Sequence, residues 1–135
     1  MSDTTSAYRF IEQTRRAYRT ANYAPPDAER YPGVAAIYET IWDQLFDSDL
    51  RLEDAYAEHG LRNHNIALRF REVLGRSPRG FARHHRVALA KELLERDDLL
   101  IAQVAGAVGY EHPSSFTKRF KAETGQTPTQ YRQGD

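Results

Sequence analysis

Apolar residues recur at spacings of three and four along much of this chain, which is the spacing of amphipathic helices. The clearest run is VAAIYETIWDQLF, which begins at Val34. Its apolar positions are Val34, Ile37, Tyr38, Ile41, Trp42 and Leu45. They predict a core helix ended by the sequence DSDL, and Trp42 is interpreted as a packing residue because no convergent polar groups accompany it.

Three further helices are predicted after this one. RLEDAYAEHG reads as a short helix stopped by Gly60, and LRNHNIALRFREVLG as the next, with Ile66, Phe70 and Val73 inward. After the turn RSPRG, the sequence FARHHRVALAKELLER predicts a long helix with a buried apolar stripe, closed by Asp97-Asp98.

Residues 101–132 read as two short helices joined by a glycine turn at Gly109. His112 or Ser114 is expected to cap the second helix, which buries Phe116 and Phe120. Its opposite face carries Pro113, Ser114, Thr117, Lys118 and Lys121. Hydroxyls and cations on one exposed face suit a DNA major groove. A solvated helix on an ordinary bundle fits this pattern equally well.

The amino-terminal region has a different character. Residues 7–22 predict a moderately amphipathic helix with Tyr8, Ile11, Ala17, Tyr18 and Ala21 along one side. The prolines of YAPPDAERYPG exclude a helix there and predict a strap, which Tyr23 and Tyr31 are expected to pin to the domain.

The chain contains an internal repeat with a step of fifty residues. The step pairs Ile66 with Phe116, Arg69 with Arg119, Phe70 with Phe120, Arg71 with Lys121, Gly75 with Gly125, Ser77 with Thr127, Pro78 with Pro128 and Phe81 with Tyr131. Upstream the step falls to forty-nine and pairs Gly60 with Gly109. Two helix-turn-helix motifs, each followed by Gly-x-(Ser/Thr)-Pro, are therefore predicted on either side of a long helix.

Charge and composition restrict the possible functions. The chain has 19 basic and 19 acidic residues, but residues 1–50 carry five basic against eight acidic groups, so residues 51–135 are net +3. Arginine predominates among the cations, which favours bidentate contacts with phosphate or guanine. The chain has no cysteine, which excludes disulfides and thiolate sites, and no signal or membrane-spanning segment is apparent. We expect a cytoplasmic protein.

No catalytic or cofactor site emerges from the sequence. The histidines His59, His64, His84 and His85 lack a completing carboxylate, so they are interpreted as surface or phosphate-proximal residues and no metal site is expected. Nothing resembles a nucleophile with its base, a phosphate loop or paired acids. We therefore expect no enzyme and no cofactor.

IAQVAGAVGYEHPSSFTKRFKAETGQTPTQYR resembles the second helix-turn-helix of the AraC/XylS family of bacterial transcription regulators. The likeness lies in Ile-x-x-Val-Ala, Val-Gly-aromatic, Ser-x-Phe, Arg-Phe-Lys, Gly-x-Thr-Pro and Tyr-Arg. It extends less specifically over residues 34–133. The resemblance implies an all-α fold of about seven helices, with two helix-turn-helix subdomains joined by a long linker helix, plus a short helical amino-terminal extension.

The expected organisation is an extension over residues 1–33 and a DNA-binding domain over 34–135. Within the domain, the first helix-turn-helix is expected at about 51–75, the linker helix at about 78–96 and the second helix-turn-helix at about 101–124. The resemblance implies two recognition helices, roughly 34 Å apart on DNA, in adjacent major grooves.

The resemblance also assigns roles to residues. Candidates for contacts with base edges are His64, Ala67, Leu68, Pro113, Ser114, Thr117 and Lys118. Candidates for contacts with phosphate are Arg62, Arg71, Arg76, Arg79, Arg119 and Lys121. Arg76 and Arg79 are expected to be free for phosphate, whereas Arg86 is expected to be structural.

The first motif departs from the family pattern. Leu68 stands where a polar residue is common, Tyr56 where a small one is common, and Arg62 where a capping serine is usual. We therefore hypothesise asymmetric reading, in which the second motif supplies most hydrogen-bond specificity.

The sequence thus predicts a transcription regulator that binds double-stranded DNA sequence-specifically. RNA polymerase, a sensing domain or a partner protein are expected as further partners. The alternative is a protein–protein adaptor or anti-regulator that uses the same fold and binds DNA weakly or not specifically.

Overall fold

The computed structural model describes residues 3–47 and 50–134, without the side chains of residues 3, 4, 63 and 64. The described part of the chain is all-α, as predicted, and its helices are α1 (Asp3–Asn22), α2 (Pro32–Gln44), α3 (Leu52–Glu58), α4 (Asn63–Leu74), α5 (Pro78–Leu93), α6 (Ile101–Ala107), α7 (Pro113–Thr124) and α8 (Pro128–Gln133). None of these helices combines the length and the apolar character needed to cross a membrane.

The chain forms two compact units. The first compact unit consists of the described residues of 23–45 and 49–85, and the second of those of 1–22, 46–48 and 86–135. Each unit contains one helix-turn-helix motif: α3 and α4 in the first, α6 and α7 in the second. The independence of a DNA-binding domain over residues 34–135 stays a prediction.

The first compact unit is built on the core helix α2. Five of the six predicted apolar positions lie on α2, and the sixth, Leu45, directly follows it; all six are buried. Trp42 packs edge-to-face with Phe81 at 6.2 Å between ring centres. The helix begins at Pro32, two residues before the predicted start at Val34, and ends at Gln44, two residues before the predicted end at Phe46. Proline suits the first helical position because its ring presets φ and the missing N–H would have no partner there.

Residues 23–31 contain no helix, as the prolines predicted, whereas Pro32 and Gly33, where a helix was also excluded, belong to α2. Tyr23 donates its hydroxyl hydrogen to the carboxylate of Glu39, and the Ala24 N–H donates to the Tyr38 hydroxyl at 2.7 Å. The Tyr31 ring lies 5.3 Å from the guanidinium of Arg69. Both tyrosines therefore hold the strap to the first compact unit, as expected.

The helix α1 belongs to the second compact unit, and its predicted buried face was partly wrong. Ile11 and Tyr18 are buried together with Ala7, whereas Tyr8 is 67% exposed and Ala17 and Ala21 are exposed. Positions 7, 11 and 18 fall on one stripe of a 3.6-residue helix, and positions 8 and 17 fall on its two flanks. Burial also raises the pKa of the Tyr18 hydroxyl.

The repeated Gly-x-(Ser/Thr)-Pro sequence performs the same task in both units. Gly75 and Gly125 end α4 and α7 in the left-handed conformation, with φ of 85° and 84°. The Ser77 Oγ accepts a hydrogen bond from the Gly80 N–H at 3.0 Å, and the Thr127 Oγ1 accepts one from the Gln130 N–H at 3.1 Å. Each repeat thus ends one helix and caps the next.

The linker helix α5 ends at Leu93, three residues before the predicted end at residue 96, and Asp97-Asp98 lies beyond it in turns. The carbonyls that follow the helix accept hydrogen bonds from the Arg132 guanidinium, at 3.1 Å for Leu94 and 3.2 Å for Arg96. This arginine therefore satisfies two carbonyls of the turn that follows α5, where the helical ladder has ended.

Gly125→Ala is expected to lower the free energy of unfolding by about 1 kcal/mol, because alanine is strained at a left-handed position. A Cβ would meet nothing within 4 Å at Gly125 or at Gly106, so crowding does not contribute at either site. The matched control Gly106→Ala lies within α6 and is expected to stabilise by about 0.5–1 kcal/mol. Urea denaturation measures both changes, and a loss at Gly106 as large as that at Gly125 would contradict the interpretation.

Candidate nucleic-acid interface

The second helix-turn-helix turns at Gly109. This glycine has φ of 95°, and the Tyr110 N–H donates to the Ala105 carbonyl at 3.0 Å, which closes the end of α6. The helix α7 then begins at Pro113, with His112 in the capping position. The prediction of a side-chain cap was wrong, because neither His112 nor Ser114 provides one: His112 makes no cap hydrogen bond and Ser114 already lies inside the helix.

Aromatic side chains fix the inner face of α7. Phe116 and Phe120 are fully buried, with ring centres 5.7 Å apart. Phe116 also packs against Tyr110 at 5.6 Å, and Phe120 against Tyr131 at 5.6 Å. Since residues four apart share a helix face, these anchors fix which side of α7 points outward.

The outer face of α7 carries the predicted polar residues. Pro113, Ser114, Lys118 and Lys121 are exposed, and Thr117 is half-buried on the same helix. Arg119 is half-buried as well. The structure therefore brings the five groove candidates of the second motif onto one helix, with short hydroxyls at its start and lysines further along.

The first helix-turn-helix has the same turn geometry. Gly60 has φ of 67°, and the Leu61 N–H donates to the Tyr56 carbonyl at 2.8 Å. Tyr56 is buried, and burial, followed by the nearby Glu53 carboxylate, raises the pKa of its hydroxyl, while Arg79 opposes that rise. A buried tyrosine therefore occupies the place where the resemblance leads one to expect a small residue.

The helix α4 presents a different outer face. Ile66 and Phe70 are buried, and Phe70 packs edge-to-face against Phe81 at 5.6 Å. Leu68 is 52% exposed, Arg71 is exposed and Ala67 is half-buried. The side chain of His64 lies outside the described residues.

The cations of the first compact unit differ in their surroundings. Arg62 occupies the capping position of α4 without a cap hydrogen bond from its side chain, and Arg76 is exposed. Arg79 was expected to be free for phosphate, but it forms an ion pair, with its Nη2 3.1 Å from Glu53 Oε2. Both of these side chains are about 60% exposed, so the ion pair contributes little to stability. Arg79 can therefore leave Glu53 and pair with another anion.

Two neighbouring residues of the linker helix α5, His85 and Arg86, have different surroundings. Arg86 is structural, as expected: its Nη2 donates to the Asp47 carbonyl at 3.3 Å and its guanidinium lies 5.4 Å from the Tyr110 ring centre. Burial lowers the pKa of Arg86. The surface interpretation was wrong for His85, which is 9% exposed and packs against Phe81 and Trp42.

The long-range hydrogen bonds of Arg15 and Arg96 were not predicted from the sequence. Arg15 Nε donates to the Ala107 carbonyl at 2.9 Å, and Arg96 Nη1 donates to the Ser6 carbonyl at 3.2 Å. These bonds join residues about ninety positions apart, and helical periodicity carries no signal for such pairs. Between α1 and α6 lies a cleft of about 400 Å³.

A family profile described as a helix-turn-helix domain matches residues 56–134, which contain both glycine turns and both outward faces. The chain belongs to the AraC-type helix-turn-helix family. The matched range leaves out α1 and α2, so these helices lie outside the AraC-type profile.

The HTH-type transcriptional regulator AlkR of Acinetobacter baylyi is 36% identical over 68 residues, which are 50% of this chain and 22% of AlkR. The chain thus spans about a fifth of AlkR and about a third of another relative, the HTH-type transcriptional activator RhaR of Escherichia coli, which is 36% identical over 101 residues.

Two solved structures have a similar fold. The C-terminal domain of AraT, a response regulator from Geobacillus stearothermophilus, superposes with a TM-score of 0.69 at 29% identity, covering 77% of this chain and 86% of that domain. The DNA-binding domain of AdpA, solved in complex with a target DNA, superposes with a TM-score of 0.65 at 25% identity. This superposition covers 76% of this chain and 91% of the AdpA chain.

Proposed function

We propose that this chain is a non-catalytic transcription regulator that binds double-stranded DNA sequence-specifically. The observation that carries this proposal is the outer face of α7, where hydroxyls and lysines stand opposite two fully buried phenylalanines. Such a helix presents hydrogen-bond donors and acceptors without losing its core, which is what entry into a major groove requires. The family membership and the DNA complex of AdpA support it.

The second motif is assigned most of the base reading. Ser114, Thr117 and Lys118 are assigned to base edges, together with Pro113 at the start of the helix. Lys121 and Arg119 lie further along and are assigned to phosphates, which position the protein without reading sequence.

The first motif is assigned mainly to positioning. Leu68 offers an apolar contact to a thymine methyl. Ala67 and His64 are the other residues of this motif that are assigned to base edges. The phosphate contacts are assigned to Arg62, Arg71, Arg76 and Arg79. Arg79 would exchange its exposed pairing with Glu53 for a phosphate oxygen.

The wider setting is proposed by analogy with relatives such as AlkR, which is an HTH-type transcriptional regulator. A cytoplasmic location, contact with RNA polymerase, and a sensing domain or partner protein are part of this proposal.

Selection of bound duplexes from a random pool, followed by gel shifts at several salt concentrations, tests the function. We expect an enriched sequence bound at least about a thousandfold more tightly than random duplex, with affinity that falls steeply with salt. A chain that enriches no sequence would instead be the protein–protein adaptor.

Lys118→Ala is expected to lose about 1–3 kcal/mol of discrimination between the selected sequence and its variants, because a base contact disappears. Leu68→Ala is expected to lose clearly less of this discrimination, since the first motif mainly positions the protein on the DNA backbone. The control Lys121→Ala should weaken all sequences alike and reduce the salt slope by about 1. Competition gel shifts measure the three variants, and equal losses of discrimination at Lys118 and Leu68 would refute asymmetric reading.

A further inference from the structure

Arg15 joins α1 to the turn of the second helix-turn-helix. Its Nε donates to the carbonyl of Ala107, the last residue of α6, at 2.9 Å. Its Nη2 donates to the Phe46 carbonyl at 3.0 Å, and its Nη1 lies 3.6 Å from the Glu12 carboxylate. The Arg15 side chain is 30% exposed, so it reaches these carbonyls from a partly enclosed position.

The bond to Ala107 acts at a sensitive point. Carbonyls in the last turn of a helix have no partner within the helix, and a cation there is also favoured by the helix dipole. Only five residues separate Ala107 from the first residue of α7. The direction in which α7 leaves the turn therefore depends on how the end of α6 is held.

The helix α1 is anchored firmly enough to act as this support. Upstream of α6, Arg96 donates to the Ser6 carbonyl at 3.2 Å and to the Ser6 Oγ at 2.9 Å. The Arg96 guanidinium also lies 5.2 Å from the Phe10 ring centre, and the neighbouring Ile11 is buried. Two sets of hydrogen bonds thus fix α1 alongside α6. One joins Ser6 to Arg96, just before the start of α6, and the other joins Arg15 to Ala107, at the end of α6.

We propose that Arg15 is a positioning residue for DNA recognition, which holds the α6–α7 turn in the orientation that lets α7 read base edges. The inference rests on the proposed function and assigns a role to α1, which lies outside the matched residues 56–134. In this proposal α1 supports the recognition element through the end of α6, without touching DNA itself.

The geometry requires arginine. Two carbonyls, of Ala107 and Phe46, accept hydrogen bonds from two nitrogens of one rigid planar group. A lysine ammonium keeps the charge but is a single point donor on a flexible stem, so it cannot reproduce both bonds in the same plane. Arg15→Lys therefore separates the positioning role from the charge.

In the full chain, Arg15→Lys is expected to lower affinity for the selected duplex about tenfold. Affinity for a scrambled duplex and the salt slope should stay unchanged, because no phosphate contact is removed. The matched control is Arg16→Lys, which changes the adjacent, exposed arginine and should alter neither affinity. Hydrogen exchange of the Tyr110 amide, which bonds to Ala105, should accelerate in Arg15→Lys alone.

The outcomes separate the proposals. If wild type enriches a sequence and Arg15→Lys binds it equally well, Arg15 does not position α7. If Arg15→Gln lowers the affinity for the selected and the scrambled duplex equally and also reduces the salt slope, Arg15 is a phosphate contact instead of a positioning residue. Failure of the wild type to enrich any sequence would overturn the proposed function, and the Tyr110 exchange rate would still report whether Arg15 holds the turn. If Arg15→Lys unfolds, Arg15→Gln, which retains one donor, takes its place.

Discussion

Phe120→Ala is expected to lower the free energy of unfolding by about 3–5 kcal/mol, the largest single effect we foresee. The side chain is fully buried, and its ring lies between those of Phe116 and Tyr131 at 5.7 and 5.6 Å. Truncation loses the burial of the ring and leaves a cavity beneath α7. Urea denaturation followed by circular dichroism measures the loss, and gel shifts should show a parallel loss of DNA binding.

The matched control for this prediction is Phe120→Leu. Leucine keeps most of the apolar volume, so the expected loss is about 1–1.5 kcal/mol. Phe70→Ala, at the equivalent position of the first compact unit, should resemble Phe120→Ala because Phe70 is also fully buried. An alanine variant at Phe120 that stayed within about 1 kcal/mol of wild type would show that this ring does not anchor α7.

Local patterns predicted the helices well. The spacing of Ile37, Ile41 and Leu45 predicted a buried face, and all three are fully buried. The repeated glycines predicted the helix ends, since Gly75 and Gly125 both adopt the left-handed conformation. These features depend on residues within a few positions of each other, which is the range over which sequence periodicity is informative.

The placement of α1 could not be predicted in the same way. Its aromatic and alanine residues are spread widely around the helix, so its periodicity defines the buried face poorly, and the predicted face was partly wrong. The face that is buried depends on bonds from Arg15 to Ala107 and from Arg96 to Ser6, which span 92 and 90 positions. No periodic pattern records which distant carbonyl an arginine will reach.

The candidate interface was predictable where local anchors orient it. Phe116 and Phe120 point inward, so Lys118 and Lys121 must lie on other faces of α7, and both are exposed. The state of Arg79 was not predictable, because its partner Glu53 lies 26 positions away. Ionic partners of exposed arginines depend on tertiary structure, whereas the direction of a helix face depends on its own sequence.

The burial of His85 has a local signal in the sequence. It lies four residues after Phe81, and residues at this spacing share a helix face. In the structure its ring lies 4.5 Å from that of Phe81 and 5.0 Å from that of Trp42. Burial, followed by the charges of His84 and Arg76, lowers the pKa of His85 from 6.5 to about 4.

Acidification from pH 7 to pH 5 is expected to cost wild type about 2 kcal/mol of unfolding free energy through His85 alone. The folded state keeps the imidazole neutral down to about pH 4, whereas the unfolded chain takes up a proton below about 6.5. This contribution is therefore complete above pH 6.5 and is lost progressively as the pH falls towards 4. The fluorescence of Trp42, the only tryptophan, reports the transition in urea at each pH.

His85→Phe keeps an aromatic ring but cannot be protonated, so its stability should fall by about 2 kcal/mol less. Identical losses in both proteins would show that carboxylates, and not His85, set the acid sensitivity.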